Sequence, residues 1–125
     1  MKLLLDTHVL LWVLGQPRKI AAPTRRRIEA PDNLVFVSSA SAWEIEIKRA
    51  LGKLVAPDDL AEQMRRARFT ELPLHLRHVE RLRTLPGLHR DPFDRILISQ
   101  ALTDDLVLIT NDEDIRAYGC KTMTC

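Results

Sequence analysis

Four short runs along the chain are typical of β-strands, and three of them are aliphatic almost without interruption. They are KLLL (2–5), LVFV (34–37), a weaker FTEL (69–72) and LVLI (106–109). Nearly continuous aliphatic strands are buried on both faces, as in a parallel sheet whose two sides are covered. Helical patterns separate the four runs. The sequence therefore predicts an α/β fold, with helices on both faces of a mostly parallel sheet.

The predicted helices have apolar residues at spacings of three and four. They span 9–14, 17–30, 40–54, 60–68, 75–85 and 92–102, and a short final helix begins near residue 112. The third carries a stripe that we expect to be buried, made of Ala40, Trp43, Ile47, Ala50, Leu51 and Leu54. The chain has 125 residues and no internal repeat or linker composition, so we expect a single domain over 1–125.

The composition excludes a membrane protein with long apolar helices. Hydrophobic residues make up 46% of the chain and charged residues 29%, and no apolar run approaches the roughly 20 residues that span a bilayer. The N-terminal MKLLLDTHVLLWVL is apolar, but Asp6 and His8 interrupt it and no small-residue cleavage site follows. We therefore expect an uncleaved cytoplasmic chain without membrane contact.

The basic residues are concentrated in three runs. The net charge is +2, and the runs are TRRR (24–27), MRRAR (64–68) and HLRHVERLR (75–83). Such runs form either solvated helix faces or a surface that follows phosphates, and the sequence leaves both readings open.

Acidic residues occupy equivalent places in four separate segments. Asp6 ends the first strand, Glu44 lies about one turn into the helix after the second, and Asp112 follows the fourth. Asp94 lies in the first turn of helix 92–102, which leads into the fourth strand. Carboxyl ends of parallel strands and the starts of their neighbouring helices share one edge. We therefore expect these four side chains to gather there.

Helix capping is the alternative explanation for each acid, because N-termini favour acceptors and negative charge. Asp6 could cap helix 9–14, and Ser41 with Glu44 has the spacing of a capping box. Asp91, directly before a proline, is a suitable cap for helix 92–102. Asn111 could cap the final helix, whose first turn is strongly acidic.

Several carboxylates close together favour a bound cation, because unneutralised carboxylates repel one another. Hard divalent ions, Mg²⁺ or Mn²⁺, suit an all-oxygen set, while no His or Cys pair has the ligand spacing of a zinc site. A site of this kind supports hydrolysis of a phosphodiester.

Polar neighbours of the acids fit an anionic substrate. Thr110 and Asn111 offer a hydroxyl and an amide to metal-bound water, and Lys48 and Arg95 could bind the phosphate or form ordinary ion pairs. The two histidines near this edge, His8 and His89, have no base–nucleophile partner and are left out of the predicted site.

Four segments resemble the PIN domains of VapC-type toxins from bacterial type II toxin–antitoxin pairs, in order over nearly the whole chain. They are LLLDTHVLLW, SSASAWEIEIKRALGKL, HRDPFDRILISQAL and LVLITNDEDI. The resemblance implies a three-layer α/β/α sandwich with a mostly parallel central sheet. It also implies a metal-dependent endoribonuclease toxin that cleaves structured cellular RNA, usually tRNA or rRNA.

By the same resemblance, Asp6, Glu44, Asp94 and Asp112 stand where the family keeps its catalytic, metal-binding acids, and Thr110 matches the hydroxyl beside the last one. The family further implies a homodimer or a higher toxin–antitoxin assembly. A small antitoxin is expected to hold the toxin inactive by lying across the active-site groove. The polar tail KTMTC (121–125) is less like the family and leaves the last strand unassigned.

Two other functions stay open on the sequence. A metal-dependent phosphatase or phosphoacceptor would need a pair of aspartates at a strand end and a lysine after the last strand. A catalytically weak domain that only binds RNA or a partner would usually have lost one of the acids. Of the remaining acids in TNDEDI, we assign Glu113 to the helix start, and Asp114 to the same place or to outer-sphere support of the site.

Overall fold

The structure is a computed structural model that describes residues 1–87 and 91–125. Its strands are β1 (Lys2–Leu5), β2 (Leu34–Ser38), β3 (Thr70–Leu72), β4 (Val107–Ile109) and β5 (Thr122–Met123). They form one sheet in the order β3-β2-β1-β4-β5, and every neighbouring pair is parallel. The predicted parallel sheet is confirmed, and β5 extends it at the tail that the sequence pattern left unassigned.

The helices follow the predicted segments with two changes. They are α1 (Thr7–Gly15), α2 (Ala22–Glu29), α3 (Ser39–Ala50), α4 (Leu60–Arg66), α5 (Leu76–Arg81), α6 (Pro92–Asp104) and α7 (Glu113–Arg116). Segment 17–30 is divided into a 3₁₀ turn, Pro17–Lys19, and α2. The division has a physical reason, because Ile20 is extended and Pro23, which has no N–H, lies in the first turn of α2. Segment 75–85 ends in a second 3₁₀ turn, Leu82–Thr84.

Side chains of the sheet alternate between two cores. Leu3 and Leu5 of β1 pack in a cluster with residues of α1, α2 and α3. Leu4 points to the opposite face, into a cluster with residues of α6 and α7. The sheet is therefore the middle of three layers, as the α/β/α prediction required.

The expected burial of the α3 stripe is confirmed for Ala40 and wrong for Trp43, Ile47 and Leu51. Trp43 is 60% exposed and Leu51 62% exposed. Beside Ala40, the buried face of α3 carries Ile45 and the polar Ser41 and Glu44. Glu44 and Ile45 lie on the inward face of α3, whereas Trp43, one position before Glu44, faces solvent.

Across 1–87 and 91–125, no helix combines the length and the apolar character needed to cross a membrane.

Candidate active site

A cavity of about 290 Å³ lies at the carboxyl edge of the sheet and collects acids from separate segments. It is lined by Asp6, His8, Trp12, Glu44, Lys48, Asp91, Asp94, Asn111 and Asp112. We call this space the acidic cavity, and the four acids that were expected to gather all line it. The parallel topology brings them together, since β1, β2 and β4 end at this edge and α6 begins there.

Asp6 is buried, with 6% of its surface exposed. Its Oδ2 accepts a hydrogen bond from Thr110 Oγ1 at 2.7 Å. Burial raises the pKa of Asp6 above its ordinary value, although the bond from Thr110 opposes the rise, and the charge of Glu44 adds to it. The capping explanation for Asp6 is wrong, because its side chain makes no capping bond to the described residues of α1.

Glu44 is also buried, and its two oxygens have different partners. Oε1 accepts from Thr7 Oγ1 at 2.7 Å, and Oε2 accepts from Lys48 Nζ at 2.7 Å. Thr7 Oγ1 additionally lies 3.0 Å from Ser41 Oγ. The capping box of Ser41 and Glu44 is therefore wrong. The residue that caps α3 is Ser38, whose side chain accepts from the Ala40 amide.

Two acids at this edge do serve as caps. Asp91 Oδ1 accepts from the Phe93 amide at 2.8 Å, which confirms the predicted cap of α6, and Asp91 lines the acidic cavity as well. Asp112 Oδ1 accepts from the Asp114 amide at 2.9 Å. The cap of α7 is thus Asp112 and not Asn111, which lies exposed in the cavity lining.

Lys48 brings a positive charge into the acidic cavity. The hydrogen bond to Glu44 is the main cause that raises the pKa of Lys48, and the nearby charges of Glu44, Asp91 and Asp94 raise it further against the effect of burial. A half-buried lysine in this position partly neutralises the surrounding carboxylates.

Arg95 is not among the residues that line the acidic cavity, and its contact with the substrate stays a prediction. Its Nη1 donates to the Pro86 carbonyl at 2.8 Å, and its guanidinium carbon lies 5.9 Å from the centre of the Tyr118 ring. These contacts join Arg95 to the segment before α6 and to Tyr118 after α7. His89 and its neighbour Arg90 lie outside the described residues.

The donor chemistry of the acidic cavity fits a hard divalent ion, because its acids offer only oxygen. Within the described segments, however, no three His, Cys, Asp or Glu side chains are placed so that they could hold a metal ion together. Asp6, Glu44 and Asp112 are each hydrogen-bonded to a protein donor in this structure.

Sequence reasoning missed Thr7 and Trp12. Thr7 is buried and orients Glu44 from the start of α1. The available signal was its place directly after Asp6, at the strand end. Trp12 was counted as part of an apolar helix, and no periodicity distinguishes a side chain that packs in the core from one that lines a cavity. Thr110, predicted to contact water, donates to Asp6 and accepts from the Asp112 amide.

Comparison with known proteins gives the family and the fold. The PIN domain family model matches residues 3–120. Ribonuclease VapC22 of Mycobacterium tuberculosis is 28% identical over 121 residues, which cover 92% of this chain and 90% of the relative. This match confirms the resemblance that the sequence motifs indicated.

Two solved structures share the fold at low sequence identity. VapBC2 from Rickettsia felis bound to a promoter DNA fragment has a TM-score of 0.75 at 14% identity, over 99% of this chain and 98% of that one. VapBC-5 from Mycobacterium tuberculosis, a member of the VapBC family of toxin–antitoxin systems, has a TM-score of 0.56 at 18% identity, over 98% and 96%. With its acids at the carboxyl edge of a five-stranded parallel sheet, the chain belongs to the PIN domain family.

Proposed function

We propose that this protein is a metal-dependent endoribonuclease, the toxin component of a type II toxin–antitoxin system. One observation carries the proposal: acids from four distant segments line a single cavity at the carboxyl edge of the sheet. Membership of the PIN family and the likeness to Ribonuclease VapC22 support this reading. The substrate class that we propose is structured cellular RNA, such as tRNA or rRNA, in the cytoplasm.

The residues that would hold Mg²⁺ or Mn²⁺ are Asp6, Glu44, Asp94 and Asp112. When bound, such an ion supplies Lewis-acid polarisation of phosphoryl oxygens and lowers the pKa of a coordinated water. The chain contributes orientation: Thr110 fixes Asp6, and Thr7 fixes Glu44. These hydroxyls act on the carboxylates, in the way that outer partners orient metal ligands.

The proposed reaction is hydrolysis of a phosphodiester by water. Lys48 is the cation of the chain that lines the acidic cavity among the described residues, and we assign it to the substrate phosphate. Its ammonium group bonds Glu44 in this structure, so it must exchange part of that contact for a phosphate oxygen. Asn111, exposed in the same lining, is left to hydrogen-bond water or ribose.

The proposed partners are a small antitoxin and a second copy of the chain. The VapBC-type relatives support the antitoxin. Exposed apolar side chains support the homodimer, because solvent-facing apolar stripes usually become covered. They are Trp43 and Ile47 of α3 and Leu51, which follows its last residue. Light scattering tests the dimer: Ile47→Asp should halve the mass measured for the unmodified protein. A mass of one chain for the unmodified protein contradicts it.

The activity is tested by incubating purified protein with tRNA and rRNA in Mg²⁺ or Mn²⁺, with and without EDTA. Asp6→Asn and Asp94→Asn are assayed beside it, and circular dichroism checks their folding. We expect cleavage that depends on the metal and on both acids. Cleavage that persists in EDTA or in both variants contradicts the proposal.

The same assay separates the alternatives. RNA binding without cleavage in any metal indicates a binding module. This alternative is tested because no three acids of the described segments are placed to hold a metal ion together. Hydrolysis of a small phosphate monoester without RNA cleavage indicates a phosphatase.

A further inference from the structure

An aromatic side chain lines the acidic cavity without a part in the proposed chemistry. Trp12 lies in the C-terminal half of α1 and is half-buried, with one part packed against the core. The rest of its surface faces the cavity that holds Asp6, Glu44 and Asp112. Coordination of a hard cation uses oxygen donors, so an indole ring beside these acids calls for a different explanation.

A second ring and a cation accompany Trp12. His8 lies one turn earlier on α1, is exposed and lines the same cavity. Its ring centre is 6.4 Å from that of Trp12, with 52° between the planes. Lys19 Nζ lies 5.6 Å from the centre of the Trp12 ring. Two aromatic rings thus line the cavity together with the carboxylates, and the Lys19 ammonium group lies over the Trp12 ring.

Trp12 lies between the acidic cavity and a second cavity, since it lines both. The second cavity has a volume of about 630 Å³, and among the described residues Trp12 is the side chain that lines both. The walls of the second cavity are largely apolar and include Val55, Ala56 and Pro57. An extended ligand that leaves the acidic cavity on this side must therefore pass the indole ring.

We infer that Trp12 is a stacking platform for an unpaired nucleobase of the RNA, adjacent to the phosphodiester that is cleaved. This inference rests on the proposed ribonuclease function and adds the way the substrate is held. Bases of single-stranded loops stack on aromatic side chains, and basic groups bind the neighbouring phosphates. Trp12 takes the first role, and Lys19 is placed for the second.

The dimensions of the acidic cavity suit an unpaired nucleotide. Its volume is about 290 Å³, at the lower limit of small-ligand pockets, so the platform is placed to hold one base at a time. A nucleotide in a duplex must leave its stack to enter. The platform thus restricts cleavage to loops, bulges and single strands, and it holds the base there without reading a particular sequence, because every base has an aromatic face.

Fluorescence gives a direct test, because the chain has only two tryptophans. Trp43→Phe leaves Trp12 as the sole emitter, and Asp94→Asn in the same protein prevents turnover in Mg²⁺. This protein is titrated with a short single-stranded RNA of mixed sequence. The matched probe is a chain of equal length in which abasic tetrahydrofuran units replace every nucleoside. We expect quenching by the RNA and none by the abasic chain.

Affinity supplies the second readout, in the Asp94→Asn protein. Trp12→Leu should weaken RNA binding about tenfold to a hundredfold, the range found for loss of one base–aromatic stack, and should leave binding of the abasic chain unchanged. Trp12→Phe keeps an aromatic face and should retain most of the affinity. Melting temperatures report whether each variant folds, and the fluorescence titration needs no change at residue 12.

The outcomes separate this inference from the function it rests on. RNA that binds without quenching Trp12, or that quenches it no more than the abasic chain does, overturns the stacking platform alone. Equal losses of affinity for RNA and for the abasic chain in Trp12→Leu overturn it too, because they indicate a general packing role. If RNA does not bind to any form of the protein, the proposed ribonuclease function fails together with the platform.

Discussion

Two carboxylates of this protein, those of Asp104 and Asp6, differ in how their negative charge is compensated. Asp104, at the end of α6, accepts two bonds from the Arg77 guanidinium at 3.2 Å and lies 2.9 Å from His78 Nε2. We call these three residues the Asp104 cluster. Asp6 has a hydroxyl, that of Thr110, as its side-chain hydrogen-bond donor among the described residues.

The pKa shifts of the two carboxyl groups have opposite directions. Burial raises the pKa of Asp104, but the hydrogen bonds and charges of Arg77 and His78 outweigh it, and the net pKa is lowered. Burial dominates at Asp6, and its net pKa is raised. The Asp104 cluster therefore compensates its charge and holds α5 to α6, whereas the acidic cavity carries charge that the fold itself compensates less completely. An incompletely compensated charge in a cavity is typical of functional sites.

Loss of an acid from the two regions should affect activity very differently. Asp112→Asn should lower RNA cleavage about a hundredfold or more, because a charge contact of several kcal/mol to the cation is lost. Asp104→Asn should leave the rate close to that of the unmodified protein. Initial rates at saturating Mg²⁺ measure both effects. A similar loss of rate in the two variants would contradict the assignment of activity to the acidic cavity.

Loss of the Asp104 side chain should lower the stability of the protein. Asp104→Ala leaves the fully buried His78 without its acceptor, and unsatisfied buried donors cost about 1–3 kcal/mol. We expect the free energy of unfolding in urea to fall by that amount. Asp104→Asn keeps an acceptor oxygen and should lose less. An alanine variant as stable as the unmodified protein would show that the cluster is not structural.

The pH dependence of this loss follows from the lowered pKa of Asp104. The ionised carboxylate, facing Arg77 and His78, contributes stability above the ordinary aspartate pKa of about 3.9, and this contribution disappears as pH falls through the lower folded value. The difference between the unmodified protein and Asp104→Ala should thus be full near neutral pH and should narrow in acid below that range. Urea titrations across this range measure it, and a difference that widens in acid contradicts the assignment.

Loss of the charge of Asp6 should raise the free energy of unfolding, opposite to the effect of losing Asp104, and this change should be the smallest of the series. Burial disfavours the charged form of Asp6, and Asp6→Asn removes that charge while keeping an acceptor for Thr110. In EDTA at neutral pH we expect the free energy of unfolding to rise by about 1 kcal/mol, a usual gain when functional strain is relieved. Thermal melts provide the measurement, with Asp104→Asn as the matched variant. A destabilised Asp6→Asn would mean that its charge is already compensated.

The acidic edge was predictable because aliphatic strand runs and strand-end acids are local signals. The sequences around Asp6 and Asp112 show a strand followed by an acid, and parallel topology brings such places together. The Asp91 cap before a proline was equally local. The face of α3 that packs against the sheet was not predictable from local signals. The apolar stripe of Trp43 suggested that this side is buried, whereas the structure buries the neighbouring Glu44.

The sequence by itself determined the order of strands and helices, the parallel sheet and the edge at which the acids meet. These follow from hydrophobic patterning, which acts over a few neighbouring residues. Only the tertiary structure decided which hydroxyl orients each carboxylate, that Arg95 donates to the Pro86 carbonyl, and that Trp12 faces the acidic cavity. Partners such as Thr110 and Asp6 are 104 residues apart, and no local pattern records which side chains a folded chain brings within hydrogen-bond distance.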